Sequence, residues 1–370
     1  MRIVVTGGDG FIGKNLRLAL REAGYTDITP VTRATSETDL TAALASCEFV
    51  FHLAGVNRPQ DPKEFEDVNQ GFTSVLCHRL RESGRPVPLV FASSIQAALD
   101  NPYGRSKRAG EEAVERYGQE TGARAIVLRL SNVFGKWCRP NYNSAVATFC
   151  YNLVHGKPIT VNDPAATVRL VYIDDVVRTM IGLLPDGGPA GIGVEAGPVY
   201  ATTVGEVVEI LRSFEQSRRN LQIGPVGTGL TRALFATYLS YLPPEEFGYD
   251  LTRHADPRGV FVEMLKTRDS GQFSYFTAGP GITRGGHYHH TKTERFLVLH
   301  GTARFGFRHV LTDERHDLVV EGTKPHVVET VPGWVHDITN VGSEELIVML
   351  WANEIFDPEH PDTIAAKVAP

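Results

Sequence analysis

The sequence predicts two fold classes in one chain: a doubly wound α/β unit built on a parallel sheet, followed by an all-β unit of the barrel type. Up to about residue 180, apolar strands alternate with helical patterns, which is typical of a parallel sheet covered on both faces. From about residue 250, short segments alternate apolar and polar residues between Gly and Pro turns, which indicates an antiparallel sandwich or barrel. A length of 370 residues suffices for two ordinary domains.

The individual elements support this division. In the first part the predicted strands are RIVVTG, DITPVTR, EFVFHLAG, PLVFASS and ARAIVLRL, and residues 11–22 form the first predicted helix. In the second part the predicted strands lie in GQFSYFTAG, RFLVLHGTARFGFRHV, HVVETVPG and ELIVMLWANE. The Pro-Pro pair in SYLPPEEFGYD marks the linker, because two prolines interrupt regular structure. We therefore predict domains at residues 1–243 and 244–370.

Composition and charge exclude several classes of protein. The formal net charge of -6 argues against a nucleic-acid surface, which needs a concentrated basic stripe. No apolar run is long enough to span a bilayer, and the first residues enter a strand directly, so we expect neither a membrane protein nor a secretory signal. The cysteines show no CxxC pairing, and free buried thiols in a reducing cytoplasm are expected for Cys47, Cys77, Cys138 and Cys150.

A glycine-rich turn follows the first strand. Gly7, Gly10 and Gly13 have GxxGxxG spacing, and Phe11 and Ile12 open the helix behind them. Glycines let the backbone approach a pyrophosphate, while free N–H groups and the helix dipole face its charge. Its place between a strand and a helix predicts a Rossmann-type dinucleotide site rather than a simple tight turn.

The end of the second strand bears on the choice of cofactor. An NAD site usually offers a carboxylate there for the ribose 2′-OH, whereas Arg33 suits a 2′-phosphate. An exposed arginine at a strand end is the alternative interpretation. We expect NADPH.

A proton-donor pattern follows the fourth strand. Tyr103 and Lys107 are four residues apart, so they share one face of a helix, and an ammonium beside a phenol lowers the pKa of that phenol. Ser94 ends the preceding strand, and its hydroxyl can hydrogen-bond the substrate oxygen to which Tyr103 gives its proton. Together these residues predict catalysis, although a YxxxK pair alone is usually structural.

At this point the sequence resembles the extended short-chain dehydrogenase/reductase superfamily, whose members act on nucleotide-linked sugars. The resemblance covers about two-thirds of the chain. It implies that Ser94 and Tyr103 hold and protonate a sugar carbonyl oxygen, that Lys107 also contacts the nicotinamide ribose, and that Asn132 and Arg169 bind the nucleotide sugar. The matching segments are 7–13, HLAG, Asn69, Ser93-Ser94, Tyr103 to Lys107, RLSNVFG and VYIDDVV.

The neighbours of Ser94 narrow the chemistry. A 4,6-dehydratase of this superfamily needs an acidic pair there, and Ile95 and Gln96 are not acids. A 4-epimerase recycles its cofactor in place, whereas a net reductase exchanges it, and NADPH is the usual reductant of the cell. Because Arg33 suits NADPH, it favours the reduction of a keto-sugar.

A histidine pattern occupies the second part. Gly281, His287, His289, Glu294 and Gly301 have the spacing of the first cupin motif, which predicts a jelly-roll barrel. PGWVHDITN supplies a second motif, with His336. Residues at i and i+2 of a strand point to one face, so three imidazoles and one carboxylate can bind Zn²⁺, although this set also accepts Mn, Fe or Ni. Structural or surface roles are expected for Tyr288, His290, His300, His309, His316 and His326.

A further resemblance concerns the barrel. ADPRGVFVEM (255–264), TRGGHY and VPGWVH are similar to stretches of the dTDP-4-keto-sugar 3,5-epimerases, which remove a proton alpha to a sugar ketone. In that family the histidine that removes the proton corresponds to His287, which is here also a predicted metal ligand. The identity of the base stays open.

Nearly end to end, the chain resembles the bifunctional UDP-sugar enzymes of capsule and O-antigen synthesis, the CapF and WbjC type. The resemblance implies epimerisation of a UDP-4-keto-6-deoxy-N-acetylhexosamine at C3, NADPH-dependent reduction at C4 to UDP-N-acetyl-6-deoxy-L-talosamine on the way to L-fucosamine, and a homodimer. The most distinctive segments are SSIQAALDNPYGRSK, FGKWCRPNYNSAVATFCYNLV, TYLSYLPPEEFGY, HYHHTKTERFLVLHG and MLWANEIFDPEHPDT.

Two other functions stay open. One is a UDP-sugar reductase or 4-epimerase whose barrel only binds sugar or supports the fold. The other is a redox or sugar sensor without catalysis, against which intact Ser94, Tyr103 and Lys107 argue.

Overall fold

The computed structural model describes most of the chain, and the chain forms two compact units. The described ranges are residues 1–57, 61, 63–185, 190–252, 254–256, 259–261, 264–267, 271–354 and 357–369. Unit 1 comprises Met1–Phe134, Cys138–Ala145 and Thr167–Thr202. Unit 2 comprises Gly135–Trp137, Val146–Ala166 and Thr203–Pro370.

Unit 1 is an α/β structure, as predicted. Its elements are β1 (Ile3–Thr6), α1 (Phe11–Glu22), β2 (Ile28–Val31), α2 (Glu37–Ser46), β3 (Phe49–His52), a π-helical segment (Phe65–Phe72), α3 (Thr73–Glu82), β4 (Leu89–Ser94), a 3-10 turn (Ile95–Ala98), α4 (Pro102–Thr121), β5 (Ala125–Leu130), β6 (Asn132–Phe134), β7 (Thr167–Tyr172), α6 (Ile173–Gly182), β8 (Gly191–Val194) and β9 (Val199–Thr203).

The main sheet of unit 1 has the strand order β2-β1-β3-β4-β5-β8, and each neighbouring pair is parallel. Every residue of β1 and β3 is buried, as expected for central strands covered on both faces. A smaller sheet has the order β6-β7-β9. The order reverses at β1, so the carboxyl ends of β1 and β3 flank the crevice where doubly wound sheets bind their ligands.

Local sequence signals explain the limits of the helix that follows β4. The side chain of Asn101 accepts a hydrogen bond from the Gly104 N–H at 2.8 Å, and Pro102 occupies the first turn of α4, where its missing N–H costs nothing. The helix ends at Gly122, whose φ of 72° is a left-handed conformation that glycine adopts readily. These caps fix the two ends of α4, the element that carries Tyr103 and Lys107.

Unit 2 combines helices with antiparallel sheets. Its elements are α5 (Ala145–Val154), α7 (Val204–Asn220), β10 (Gln222–Ile223), α8 (Gly229–Leu239), a 3-10 turn (Pro244–Glu246), β11 (Gly248–Asp250), β12 (His254–Asp256), β13 (Gly259–Phe261), β14 (Lys266–Thr267), β15 (Gln272–Ala278), β16 (Thr283–Tyr288), β17 (Glu294–His300), β18 (Thr302–His309), β19 (Arg315–Glu321), β20 (His326–Glu329), β21 (Trp334–Asn340), β22 (Leu346–Ala352) and β23 (Ile364–Ala365).

Two sheets of unit 2 face each other and confirm the predicted all-β fold. Their strand orders are β11-β20-β17-β22-β15 and β19-β18-β21-β16-β23. Phe296 of the first sheet and Phe305 of the second have ring centroids 5.7 Å apart, so the apolar core lies between the sheets. Shorter pairs join β10 to β14 and β12 to β13.

The helices α7 and α8 belong to unit 2. Thr203 and Glu206 form a capping box at the start of α7. Farther along α7, Arg218 lies 3.1 Å from Glu329 of β20, which also accepts a 2.6 Å hydrogen bond from Arg295 of β17. The sequence analysis placed residues 204–242 before its boundary. The boundary between functional domains after residue 243 stays a prediction.

The cysteines are free and buried, as expected. Burial raises the pKa of Cys47 and Cys138 to about 11 and that of Cys77 to about 12, which disfavours the reactive thiolate. Within the described ranges, no helix is both long and apolar enough to cross a membrane.

Candidate active site and metal centre

The glycine-rich turn lies at the carboxyl end of β1, beside the loop that follows β3. Gly7 has a φ of +66°, and a Cβ atom there would lie 2.9 Å from the backbone nitrogen of Ala54. A Cβ on Gly13 would lie 2.3 Å from the Gly7 carbonyl oxygen. Gly10 caps α1, which begins with Phe11 and Ile12. These five of the predicted cofactor residues therefore surround one helix N-terminus, where a pyrophosphate is favoured.

Arg33 lies in the turn two residues after the end of β2 and is exposed. Thr32 stabilises this turn: its backbone N–H donates to the Thr35 hydroxyl at 2.9 Å, and its hydroxyl accepts from the Ala34 N–H at 3.2 Å. The turn thus places Arg33 at the strand end where a 2′-phosphate is recognised in this type of fold.

Ser94 and Tyr103 meet as the sequence predicts, because β4 ends at Ser94 and α4 begins one residue before Tyr103. The Ser94 hydroxyl lies close to the Tyr103 phenol. Burial raises the pKa of this phenol, and the neighbouring Ser94 hydroxyl opposes the shift only in part. The sequence analysis expected a lowered pKa, and that expectation is wrong because burial is the largest influence on the phenol.

The contacts of the Lys107 side chain are with β4. Its ammonium group donates to the carbonyl oxygen of Ala92 at 2.9 Å and lies 4.9 Å from the centre of the Phe91 ring. Burial lowers the pKa of Lys107 to about 8, although the nearby Glu111 carboxylate opposes the shift. Lys107 is therefore held against β4, with an ammonium that releases its proton more readily than an exposed lysine does.

A buried carboxylate that the sequence analysis missed supports this region. Glu111 is 1% exposed and accepts a 2.6 Å hydrogen bond from Ser93. Arg129 of β5 binds the same carboxylate with two nitrogens, at 2.9 and 2.6 Å. The available signal was its spacing, since Glu111 follows Lys107 by one helical turn. The network ties β4, α4 and β5 together beneath the site.

Asn69, which the family resemblance singled out, fixes the loop after β3. Its side-chain oxygen accepts from the Val56 N–H at 2.8 Å, and its amide donates to the Val56 carbonyl at 2.8 Å and to Ser106 at 3.0 Å. A Cβ on Gly55 would lie 3.2 Å from the Lys107 nitrogen. The loop therefore passes directly beside Lys107.

Asn132 and Arg169 are also brought together. Asn132 begins β6, which pairs in parallel with β7, and its amide donates to the Arg169 carbonyl at 3.1 Å. Both residues are exposed, so their side chains are accessible to a ligand.

The structure assembles the predicted metal ligands from three strands of the barrel. His287 lies on β16, His289 directly after it, Glu294 at the start of β17 and His336 on β21. One potential ligand atom from each residue lies within 4.8 Å of all the others. The ring centroids of the three histidines are 4.7 to 5.1 Å apart.

The donor chemistry of this cluster fits a divalent cation. One carboxylate oxygen, Glu294 Oε2, lies 3.2 Å from His289 Nε2 and 3.4 Å from His336 Nε2. Two hydrogen-bond acceptors at such distances need a proton or a cation between them. Burial, with the neighbouring His336 and His289, lowers the pKa of His287 to about 3 and keeps that ring neutral. Neutral imidazole is the form that binds metal.

Glu294 supplies the negative charge of the cluster. Burial alone would raise its pKa, but the neighbouring His289 and His336 imidazoles outweigh burial and hold the pKa well below its usual range. An ionised carboxylate with three imidazoles is a donor set typical of Zn²⁺ and of other first-row divalent ions.

Neighbouring histidines have other contacts. His309 accepts a 3.0 Å hydrogen bond from the indole of Trp137, and His326 pairs with Asp250 at 2.8 Å. Tyr288 is buried against His290, with ring centroids 5.7 Å apart. Residues 257–258 and 262–263 of ADPRGVFVEM lie outside the described residues, and so do residues 355–356 of MLWANEIFDPEHPDT.

Comparison with protein families supports the two-part organisation. A model described as "NAD dependent epimerase/dehydratase family" matches residues 3–193, and one described as "Polysaccharide biosynthesis C-terminal domain" matches residues 254–364. The fold and the site therefore define a member of the NAD dependent epimerase/dehydratase family that carries a polysaccharide biosynthesis domain.

Individual relatives narrow this class. The UDP-2-acetamido-2,6-beta-L-arabino-hexul-4-ose reductase of Pseudomonas aeruginosa is 53% identical over 368 residues, covering 100% of this chain and 99% of the relative. The capsular polysaccharide assembling protein CapF of Staphylococcus aureus is 42% identical, with a TM-score of 0.68 and 100% of both chains covered. The chain belongs to the family of these two proteins, as the sequence analysis predicted.

A more distant structure is similar in fold alone. The UDP-glucuronic acid 4-epimerase of Bacillus cereus, in complex with NAD, is 19% identical with a TM-score of 0.55, covering 65% of this chain and 96% of that one.

Proposed function

We propose that this protein is a bifunctional UDP-sugar enzyme of capsule or O-antigen synthesis. Its barrel would epimerise C3 of a UDP-4-keto-6-deoxy-N-acetylhexosamine, and its α/β unit would then reduce C4 with NADPH to give UDP-N-acetyl-6-deoxy-L-talosamine. The observation that carries the proposal is the presence of two separate constellations in one chain: Ser94 with Tyr103 and Lys107, and the cluster of His287, His289, Glu294 and His336.

The first constellation suits the reduction of a ketone. NADPH bound at the glycine-rich turn would supply the hydride, with Arg33 on its 2′-phosphate. Tyr103 remains protonated at neutral pH because burial raises its pKa, so it can give its proton to the sugar oxygen. Ser94 lies close to the phenol and would orient the same oxygen. Asn132 and Arg169 would bind the nucleotide sugar.

The second constellation suits removal of a proton beside a ketone. A divalent ion held by the four residues, Zn²⁺ in the first instance, would supply a Lewis acid that polarises the keto oxygen and acidifies the neighbouring C–H. The low pKa of His287 keeps that ring neutral and the low pKa of Glu294 keeps its carboxylate ionised, the forms in which both residues bind a metal ion. The residue that accepts the proton is left open.

The chemistry sets the order of the two reactions. Enolisation at C3 requires the C4 ketone, and reduction at C4 removes it, so epimerisation precedes reduction. Placing both activities in one chain would keep the labile keto-sugar close to the site that reduces it. A homodimer in the cytoplasm is part of the proposal.

One experiment tests the whole sequence. The protein is incubated with a UDP-4-keto-6-deoxy-N-acetylhexosamine and NADPH in D₂O, and the product is analysed by NMR. The expected product carries deuterium at C3 with inverted configuration and a new hydroxyl at C4. A reduced product with hydrogen at C3 would instead support a reductase whose barrel only binds sugar or supports the fold. Absence of any turnover with keto-sugars would support a sensor.

A further inference from the structure

The turn after the metal strand is held by a residue far away in sequence. Three consecutive backbone N–H groups, those of His290, Thr291 and Lys292, donate to the carboxylate of Asp362 at 2.9, 2.6 and 2.7 Å. The Thr291 hydroxyl adds a fourth hydrogen bond at 3.0 Å. One carboxylate therefore closes a turn that lies directly between the ligands His289 and Glu294.

The backbone of Asp362 contacts the ligand itself. Its carbonyl oxygen is hydrogen-bonded to Nδ1 of His289, a side chain that is 1% exposed. A carbonyl oxygen can only accept, so Nδ1 of His289 must carry the proton. The lone pair of the neutral ring is then on Nε2, the atom that lies 3.2 Å from Glu294. This hydrogen bond selects the tautomer that a metal ion needs.

Neighbouring residues keep Asp362 in place. Thr363 accepts a 2.8 Å hydrogen bond from the buried Lys292 ammonium. The strand β23 follows immediately and pairs with β16 at the positions of His287 and Tyr288. The Ala366 N–H donates to the Gly286 carbonyl at 2.9 Å. Residues 362–366 therefore run along the strand that carries the first ligand.

We infer that Asp362 is a positioning residue of the metal centre, whose carbonyl fixes the tautomer of His289 and whose carboxylate holds the turn of residues 290–292. The inference rests on the proposed metal-binding role of the four-residue cluster. Groups that hydrogen-bond to a metal ligand orient that ligand, and their loss typically lowers metal affinity about 10- to 100-fold.

Metal binding by Asp362→Ala and Asp362→Asn, each in the full chain, tests this inference. Alanine leaves three backbone donors without their acceptor, so we expect a Zn²⁺ dissociation constant about 10- to 100-fold higher, measured by competition with a chromogenic chelator. Asparagine keeps one carbonyl acceptor and the shape, so its affinity should lie between those of alanine and wild type. Asp357→Ala removes an exposed carboxylate five residues earlier and should bind Zn²⁺ like the wild type.

A second measurement separates positioning from general support. The thermal midpoint of each variant is recorded without metal and with saturating Zn²⁺, and the absorption of the Co²⁺-substituted protein is compared. A positioning role predicts a smaller metal-induced rise of the midpoint in Asp362→Ala and an altered Co²⁺ spectrum. If both midpoints fall in parallel, with unchanged Zn²⁺ affinity and spectrum, Asp362 is only structural and the inference is wrong. If the wild type itself binds no metal, the proposed function fails instead.

Discussion

The Ser94 hydroxyl at the end of β4 lies close enough to the Tyr103 phenol at the start of α4 to lower the pKa of that phenol, so the proposed proton donor and the proposed substrate-orienting hydroxyl lie side by side. This arrangement limits the change that binding requires. A sugar oxygen need only enter beside two hydroxyls whose elements are fixed by the caps of α4 and by the buried Glu111 network.

Removing the phenol separates the two activities. In Tyr103→Phe the proton donor is lost, so NADPH oxidation should fall by about 10²- to 10⁴-fold, while exchange of the C3 proton with D₂O continues. Absorbance at the NADPH band and NMR measure the two reactions. Tyr25→Phe removes a phenol elsewhere in unit 1 and serves as the control. If Tyr103→Phe, correctly folded, lost both activities, the proposed division of labour would fail.

Loss of a metal ligand should have the opposite effect. Glu294→Gln removes the ionised carboxylate of the cluster, so we expect loss of bound metal and of C3 exchange, with reduction of an already epimerised keto-sugar retained. Atomic emission measures the metal and NMR the exchange. Removing the metal from the wild type with a chelator should reproduce this result, and added Zn²⁺ should restore exchange. Full exchange in protein shown to be metal-free would contradict the proposal.

The cofactor preference depends on Arg33. Arg33→Ala removes a charged donor from the end of β2, so the KM for NADPH should rise about 10- to 100-fold, which corresponds to the ~1.5–3 kcal/mol of a hydrogen bond to a charged group. The KM for NADH should stay the same, since NADH has no 2′-phosphate. Arg21→Ala, an exposed arginine in the last turn of α1, is the matched control. Equal rises for both cofactors would mean that Arg33 does not contact the 2′-phosphate.

Acid should destabilise the protein partly through His52. This side chain is hydrogen-bonded to Thr6 at 2.6 Å and to Thr73 at 2.8 Å, and burial, with the charge of Lys107, lowers its pKa to about 3. In the unfolded chain His52 binds a proton near pH 6.5, whereas in the folded chain it does not. The contribution of His52 to the free energy of unfolding is therefore complete above pH 6.5 and decreases toward pH 3. The loss should reach about 2–3 kcal/mol at pH 4.5.

Chemical unfolding of the wild type and of His52→Asn at several pH values checks this expectation. Asparagine does not titrate in this range, so the unfolding free energy of the variant should depend less steeply on pH between 6.5 and 4.5. Other groups titrate in both proteins, and their effect cancels in the comparison. Parallel curves would show that His52 does not contribute.

Local patterns predicted much of the fold and of the candidate site. The helix expected at residues 11–22 is α1, because its glycine-rich start and its periodicity are local features. The spacing of His287 and His289 predicted that both would face one cluster, and the structure brings them together with Glu294 and His336.

Other features depended on contacts that no local pattern encodes. Asp362 is separated from His289 by 73 positions, and it contacts this ring through a backbone carbonyl, which any residue possesses. The direction of the Tyr103 pKa shift depended on how deeply the phenol is buried, which spacing does not reveal. An amphipathic helix such as α7 does not indicate which elements it will pack against, here α8 and β10.

The ion pairs of Glu329 have a practical consequence for protein production. This carboxylate is 2% exposed and is neutralised by two guanidinium groups, one from Arg295 of the barrel and one from Arg218 of α7. A recombinant fragment starting at residue 244 would retain the barrel strands but lose Arg218 and open a buried ionic network to water. A fragment meant to keep this network should therefore include α7, whose capping box starts at Thr203.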